Sequence, residues 1–120
     1  MRAILVTESI KPFYVNKRNQ RIELEVSFHA RQRFVQRWRK LYGETLTFAQ
    51  VDAYIAQYFP SAVRITNFSQ HERNRLRRYG KDTLFFRTAG FTFVVQNSTI
   101  ITVEISDKGM RYLNVDKPLF

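Results

Sequence analysis

His29, Arg33, Arg37 and Lys40 recur at three- and four-residue spacing, so on a helix they form one stripe of an imidazole and three cations. That combination suits a phosphate group. An imidazole with an ordinary pKa of about 6.5 exchanges a proton near neutral pH, while guanidinium groups stay charged and donate forked hydrogen bonds to phosphate oxygens. Like charges at this spacing repel by roughly 0.2–0.5 kcal/mol per pair, so the ladder calls for an anion, a carboxylate partner or full solvation. All three remain open, and His29 also fits as a capping or packed structural histidine.

The stretch Ser27 to Tyr42, which carries this ladder, is also the clearest structural pattern in the chain. At roughly 100° per residue, Ala30, Phe34, Trp38 and Leu41 fall on one side of a helix, and Val35 and Tyr42 widen that apolar face. Ser27 is placed to cap the start and Gly43 to end it. A second helix follows: Thr47 and Gln50 make a capping box, and Phe48, Val51, Tyr54, Ile55 and Tyr58 repeat at helical spacing until Phe59-Pro60. Its aromatic stripe reads as core rather than as a base-stacking platform.

Strands are expected around these helices. Arg2 to Thr7 has β character before Lys11-Pro12 interrupts it, and Phe13 to Val15 and Arg21 to Phe28 flank the turn-forming Asn16-Lys17-Arg18-Asn19 as a hairpin. Ser61 to Thr66 supplies a short strand. A meander then runs through Thr83 to Thr88, Phe91 to Gln96, Thr99 to Ser106 and Met110 to Val115, with turns at Ala89-Gly90, Asn97-Ser98 and Asp107-Lys108-Gly109. Alternation puts Phe91, Phe93 and Val95 on one face of their strand, and Ile101, Val103 and Ile105 on one face of theirs, opposite Thr102 and Glu104. The predicted fold class is α+β, with two helices from the N-terminal half laid on one face of a mainly antiparallel sheet of four to five strands.

With 120 residues, 44% hydrophobic and 15% aromatic, residues 1–120 have the size of a single domain and the apolar bulk for its core. Twenty Lys and Arg oppose ten Asp and Glu, a formal charge of +10. A polyanion is the expected partner: nucleic acid first, then an acidic protein surface, with no membrane partner expected because no extra apolar face accompanies the basic helix. Much charge falls in residues 67–81, a basic loop or arm that holds His71, Arg73, Arg75, Arg77, Arg78 and Lys81. Two readings fit it: a segment ordered by a bound polyanion, and an exposed loop whose charge promotes solubility. The absence of cysteine excludes disulfides and thiolate chemistry, and two separated histidines make no ligand set, so no metal or cofactor is expected. The apolar run Ala3 to Val6 is too short for a leader or a membrane span, which makes a cytoplasmic protein the default expectation.

At the first helix the sequence reads His29-Ala30-Arg31-Gln32-Arg33-Phe34-Val35-Gln36-Arg37, that is H-A-x-x-R-x-x-x-R, after a strand ending Val26-Ser27-Phe28. This resembles the DUF4258-like group of the barnase, EndoU, colicin and RelE superfamily of metal-independent ribonucleases. In that group a strand, such a helix, a second helix and a three- or four-stranded sheet follow in order. Here Leu46 to Phe59 looks like the second helix, and Thr99 to Val103 like the strand with a Thr near its centre. The resemblance covers roughly Glu23 to Ser106.

What the resemblance implies is RNA cleavage of the toxin kind, with a cognate inhibitor or a larger complex as protein partner. Metal-free cleavage needs a base for the 2′-OH proton, an acid for the leaving 5′-oxygen and fixed positive charge for the transition state. His29 would titrate, Arg33 and Arg37 would clamp phosphate, and the hydroxyl of Thr102 or Tyr112 would hold it. Lys40, His71, Arg73, Arg75, Arg77, Arg78 and Lys81 would bind the rest of the nucleic acid, RNA favoured. Glu104 is a further base, or an ion-pair partner for an arginine. The second compatible class is a non-catalytic module that holds nucleic acid, or an acidic patch on a larger machine such as a transcription complex or a phage or mobile-element assembly. That module needs no titrating residue.

Overall fold

Ser27 starts the first helix and also fixes where it sits. Its hydroxyl accepts from the Ala30 N–H at 3.0 Å and donates to the Ile101 carbonyl at 3.2 Å, so one side chain caps a helix and ties it to a strand. The computed structural model describes residues 11–67, 70, 73–74, 77–80, 82–88 and 90–106. In it helix α1 spans Phe28–Tyr42 and stops at Gly43, whose φ of 76° is the left-handed conformation that glycine adopts without a Cβ clash. Helix α2 spans Phe48–Tyr58 behind the Thr47/Gln50 capping box, and a 3-10 turn at Phe59–Ser61 carries the chain back to the sheet.

Strands β1 (Phe13–Val15) and β2 (Arg21–Glu23) form an antiparallel hairpin, and a separate five-stranded sheet contains β3 (Glu25–Val26), β4 (Val63–Arg64), β5 (Leu84–Thr88), β6 (Phe91–Gln96) and β7 (Thr99–Ile105). The order across the larger sheet is β3-β7-β6-β5-β4, and only β3 runs parallel to its neighbour. The fold class is therefore the α+β arrangement expected from the sequence. One expected strand divides in two. Leu24, 1% exposed, breaks Arg21 to Phe28 into β2 and β3, because Glu25 N–H bonds the Ser98 carbonyl and Ser27 N–H bonds the Ile100 carbonyl, which pulls the chain away from the hairpin and onto β7. The expected strands Arg2 to Thr7 and Met110 to Val115 lie outside the described residues.

A bulge corrects the simple alternation expected for β7. Val94 pairs with Thr102 but Val95 pairs with Ile100, so Ile101 is an extra residue and the side chains before and after it change phase. Ile100, Val103 and Ile105 face the helices, whereas Ile101, with Val94 beside it, joins the smaller cluster of Ile65 and Phe85 on the other face. Both faces of β6 are consequently buried, from Phe91 to Val95. The second face is closed in part by Tyr79, from a 3-10 turn at Arg77–Tyr79, whose ring meets Phe85 edge-on at 6.2 Å. Gln96 Nε2 holds that turn by donating to the Tyr79 carbonyl at 2.8 Å.

The main core is aromatic. Phe34 on α1 is fully buried, with ring centroids 5.0 Å from Phe91, 5.7 Å from Trp38 and 6.2 Å from Phe93. Because it joins the helix layer to two strands, Phe34→Ala should lower unfolding free energy by about 3–5 kcal/mol, the range for emptying a packed aromatic site. Urea titration followed by circular dichroism checks this.

Candidate functional site

The ladder residues of α1 share one flank, from which Arg37 reaches β7 beyond the end of β3, while Arg31 on the opposite flank holds Asp52 of α2 at 2.8 Å. His29 and Arg33 form a pair. His29 is exposed, Arg33 Nε donates to its Nε2 at 3.4 Å, and Arg33 Nη1 donates to Gln36 Oε1 at 2.8 Å. Arg37 turns inward instead. Its Nε donates to the Val103 carbonyl at 3.3 Å, on the side of β7 where, among the described residues, no strand continues past β3, and its Nη2 lies 3.7 Å from Glu104 Oε1. Lys40 is exposed in the last turn, where a cation is favoured by the helix dipole.

Glu104, 9% exposed, is a meeting point of separate elements. Arg78 Nη2 donates to its Oε2 at 3.3 Å, the Tyr79 hydroxyl donates to the same oxygen at 3.1 Å, and Arg78 also donates to Tyr79 Oη at 2.9 Å. A carboxylate buried to this degree is tolerated because cations and a hydroxyl replace its water. Burial raises the Tyr79 phenol above its ordinary range; Glu104 adds to that shift and the Arg78 hydrogen bond opposes it. Tyr79 is thus a proton donor to Glu104. Beside it, the buried Thr92 hydroxyl, on the residue paired with Glu104, has no hydrogen-bond partner among the described residues.

Of the residues singled out from sequence, the structure joins His29 to Arg33, and Arg37 to Glu104 and through it to Arg78. Thr102 is not joined to the His29–Arg33 pair. It shares a strand face with Glu104, two residues away, and is buried there at 5% exposure. Arg73 and Arg77 are exposed, and His71, Arg75, Lys81 and Tyr112 lie outside the described residues.

Sequence reasoning missed a second cationic group at the opposite edge of the sheet. A hollow of ≈ 740 Å³ opens between the β1–β2 hairpin and edge strand β4, with Tyr14 and Phe86 among its walls and Lys17, Arg18 and Arg64 around it. The only signal was the Lys17-Arg18 pair at a turn; that Arg64 faces it depends on pairing between distant segments. A smaller hollow of ≈ 410 Å³ lies on the other side of β4, against Val63, Ile65 and Arg87. Neither hollow is lined by His29, Arg33, Arg37 or Thr102.

Among the described residues no three His, Asp or Glu side chains are grouped to hold a metal ion, and no helix is long and apolar enough to cross a membrane. Compared with protein-family models, curated proteins and solved structures, the chain matches none.

The Glu104 group yields a stability test. Glu104→Gln removes the charge that faces Arg37 and Arg78 and should cost about 1–3 kcal/mol in urea unfolding, the range for hydrogen bonds to charged groups. Because the Tyr79 pKa is raised in the fold, its contribution is present below the ordinary tyrosine range and fades as pH rises through the raised value. Wild type should therefore lose more stability than Tyr79→Phe in that alkaline window, measured by the same titration at stepped pH.

Proposed function

We propose that this domain binds nucleic acid, with RNA favoured, through surface charge that its own carboxylates leave uncompensated. The observation that carries the reading is how those carboxylates are used. Glu25 holds Lys11 at 2.7 Å, Asp52 holds Arg31, Glu23 faces Arg21 at 3.8 Å, Glu44 accepts from Trp38 Nε1 at 3.0 Å, and Glu104 is shared by Arg37 and Arg78. Lys17, Arg18, Arg33, Arg39, Lys40, Arg64 and Arg77 make no ion pair among the described residues. Each such cation can neutralise a phosphate and release its counterions.

A second reading, a metal-independent ribonuclease of the toxin kind with a cognate inhibitor, draws support from the exposed His29–Arg33 pair, an imidazole already touching a guanidinium. There His29 would exchange the proton and Arg33 would stabilise phosphate charge. It also draws on the H-A-x-x-R-x-x-x-R resemblance.

One experiment addresses both readings. Purified full chain is titrated into labelled single-stranded RNA in chelator across a salt series, and the RNA is then run on a gel. Binding should weaken with salt, log K falling by about 0.7 per phosphate contact per log unit of salt, and should survive His29→Ala. Binding that ignores salt, or none, removes the proposal. Cleavage by wild type that disappears in His29→Ala establishes the catalytic reading, and identical products from both proteins dismiss it.

A further inference from the structure

The hollow beside β4 combines the two chemistries a single-stranded nucleic acid presents, a flat apolar base and a phosphate. Part-exposed Tyr14 and Leu84 give the hollow an apolar wall, and Tyr14 is backed by the buried Phe86 at a centroid distance of 5.0 Å and an angle of 42°. Arg64 pairs with Phe86 across β4 and β5, so the two side chains project to the same face and the guanidinium stands next to that wall. The hairpin tip faces it. Asn16 Oδ1 accepts from the backbone N–H groups of Arg18 and Gln20, each at 2.9 Å, and Asn16 Nδ2 donates to Gln20 Oε1, while Asn19 takes the left-handed conformation at φ 62°. Lys17 and Arg18 are therefore presented from an ordered loop, with no carboxylate partner among the described residues.

We propose that this hollow is a nucleotide-binding subsite for single-stranded RNA, in which a base lies against the part-exposed Tyr14, backed by buried Phe86, and its phosphates meet Arg64, Lys17 and Arg18. The proposal rests on the nucleic-acid reading above and gives it a location. The volume lies within the range of small-ligand sites, which suits one unpaired nucleotide. A duplex keeps its bases stacked inside and offers none to the aromatic wall, whereas single strands gain affinity by stacking on such rings. Preference for single strands is thus built into the geometry.

The test uses fluorescence anisotropy of labelled twelve-residue oligouridine and of a duplex of equal length, with the full chain. Arg64→Gln and the double variant Lys17→Gln/Arg18→Gln are compared with Arg39→Gln, which removes an exposed charge from α1. In parallel, 5-iodouridine in the oligomer is photo-crosslinked and the modified peptide is sequenced. Arg64→Gln and the double variant should each weaken single-strand binding about tenfold, Arg39→Gln should weaken it about threefold or less, and the crosslink should fall on the peptide containing Tyr14. Equal losses in all variants, a duplex bound as tightly as the single strand, or a crosslink elsewhere would overturn the subsite and leave the general nucleic-acid reading standing. No binding by wild type at low salt would overturn both.

Discussion

A buried carboxylate with too few neighbours of opposite sign unfolds a small domain, and in a chain of charge +10 the reverse problem is as severe. Glu104 resolves both at one point. It draws Arg37 out of the α1 ladder, where stacked cations repel, and it receives Arg78 and Tyr79 from the basic segment, so helix, strand and arm are held by one side chain. Without it, among the described residues, Arg37 would keep the Val103 carbonyl, and the 3-10 turn at Arg77–Tyr79 would keep the Gln96 and Thr83 side chains on the Tyr79 carbonyl and the Tyr79–Phe85 ring contact. Among the described residues of that segment, Tyr79 is part of the packing over the second sheet face, while Arg77 is left to solvent.

Local features were legible because their causes are local. The apolar face of α1, its Ser27 cap, the Gly43 stop, the Thr47/Gln50 capping box and the Asn97-Ser98 turn, with φ of 50° and 58°, all follow from residues within a few positions of one another. The division of the expected strand at Leu24 and the parallel pairing of β3 were not legible, since both depend on hydrogen bonds to a segment more than seventy residues away, and the bulge at Ile101 is set by the register with neighbouring β6, which residue alternation alone does not fix. The candidate site was read in the same uneven way. The His29–Arg33 contact is an i, i+4 pair and was visible in the spacing, whereas the pairing of Arg37 with Glu104 and the facing of Arg64 toward Lys17-Arg18 required the sheet to be assembled first.

Two edges of one sheet thus carry different chemistry. On the β7 side, an imidazole and a guanidinium touch on an open helix flank, and the buried Glu104 that Arg37 reaches from the same helix is already committed to cations. On the β4 side, an aromatic wall and three cations enclose a hollow. The first arrangement resembles a reaction centre in its residue types, and the second resembles a recognition site in its shape. The charge accounting favours recognition, because binding needs only cations that the fold has left without carboxylates, whereas catalysis needs further groups placed around His29.

The central claim is that Glu23, Glu25, Glu44, Asp52 and Glu104 are taken up by neighbouring side chains, which leaves Lys17, Arg18, Arg33, Arg39, Lys40, Arg64 and Arg77 as the surface a polyanion occupies. Backbone amide chemical-shift mapping of the full chain, titrated with single-stranded RNA, addresses it most directly. The account requires the largest shifts among amides of residues 16–20 and 64–66, with those of Val103, Glu104 and Tyr79 unmoved as the internal clasp stays closed. Shifts centred on Glu104 and its partners, or absent from every segment that carries an unpaired cation, would contradict it.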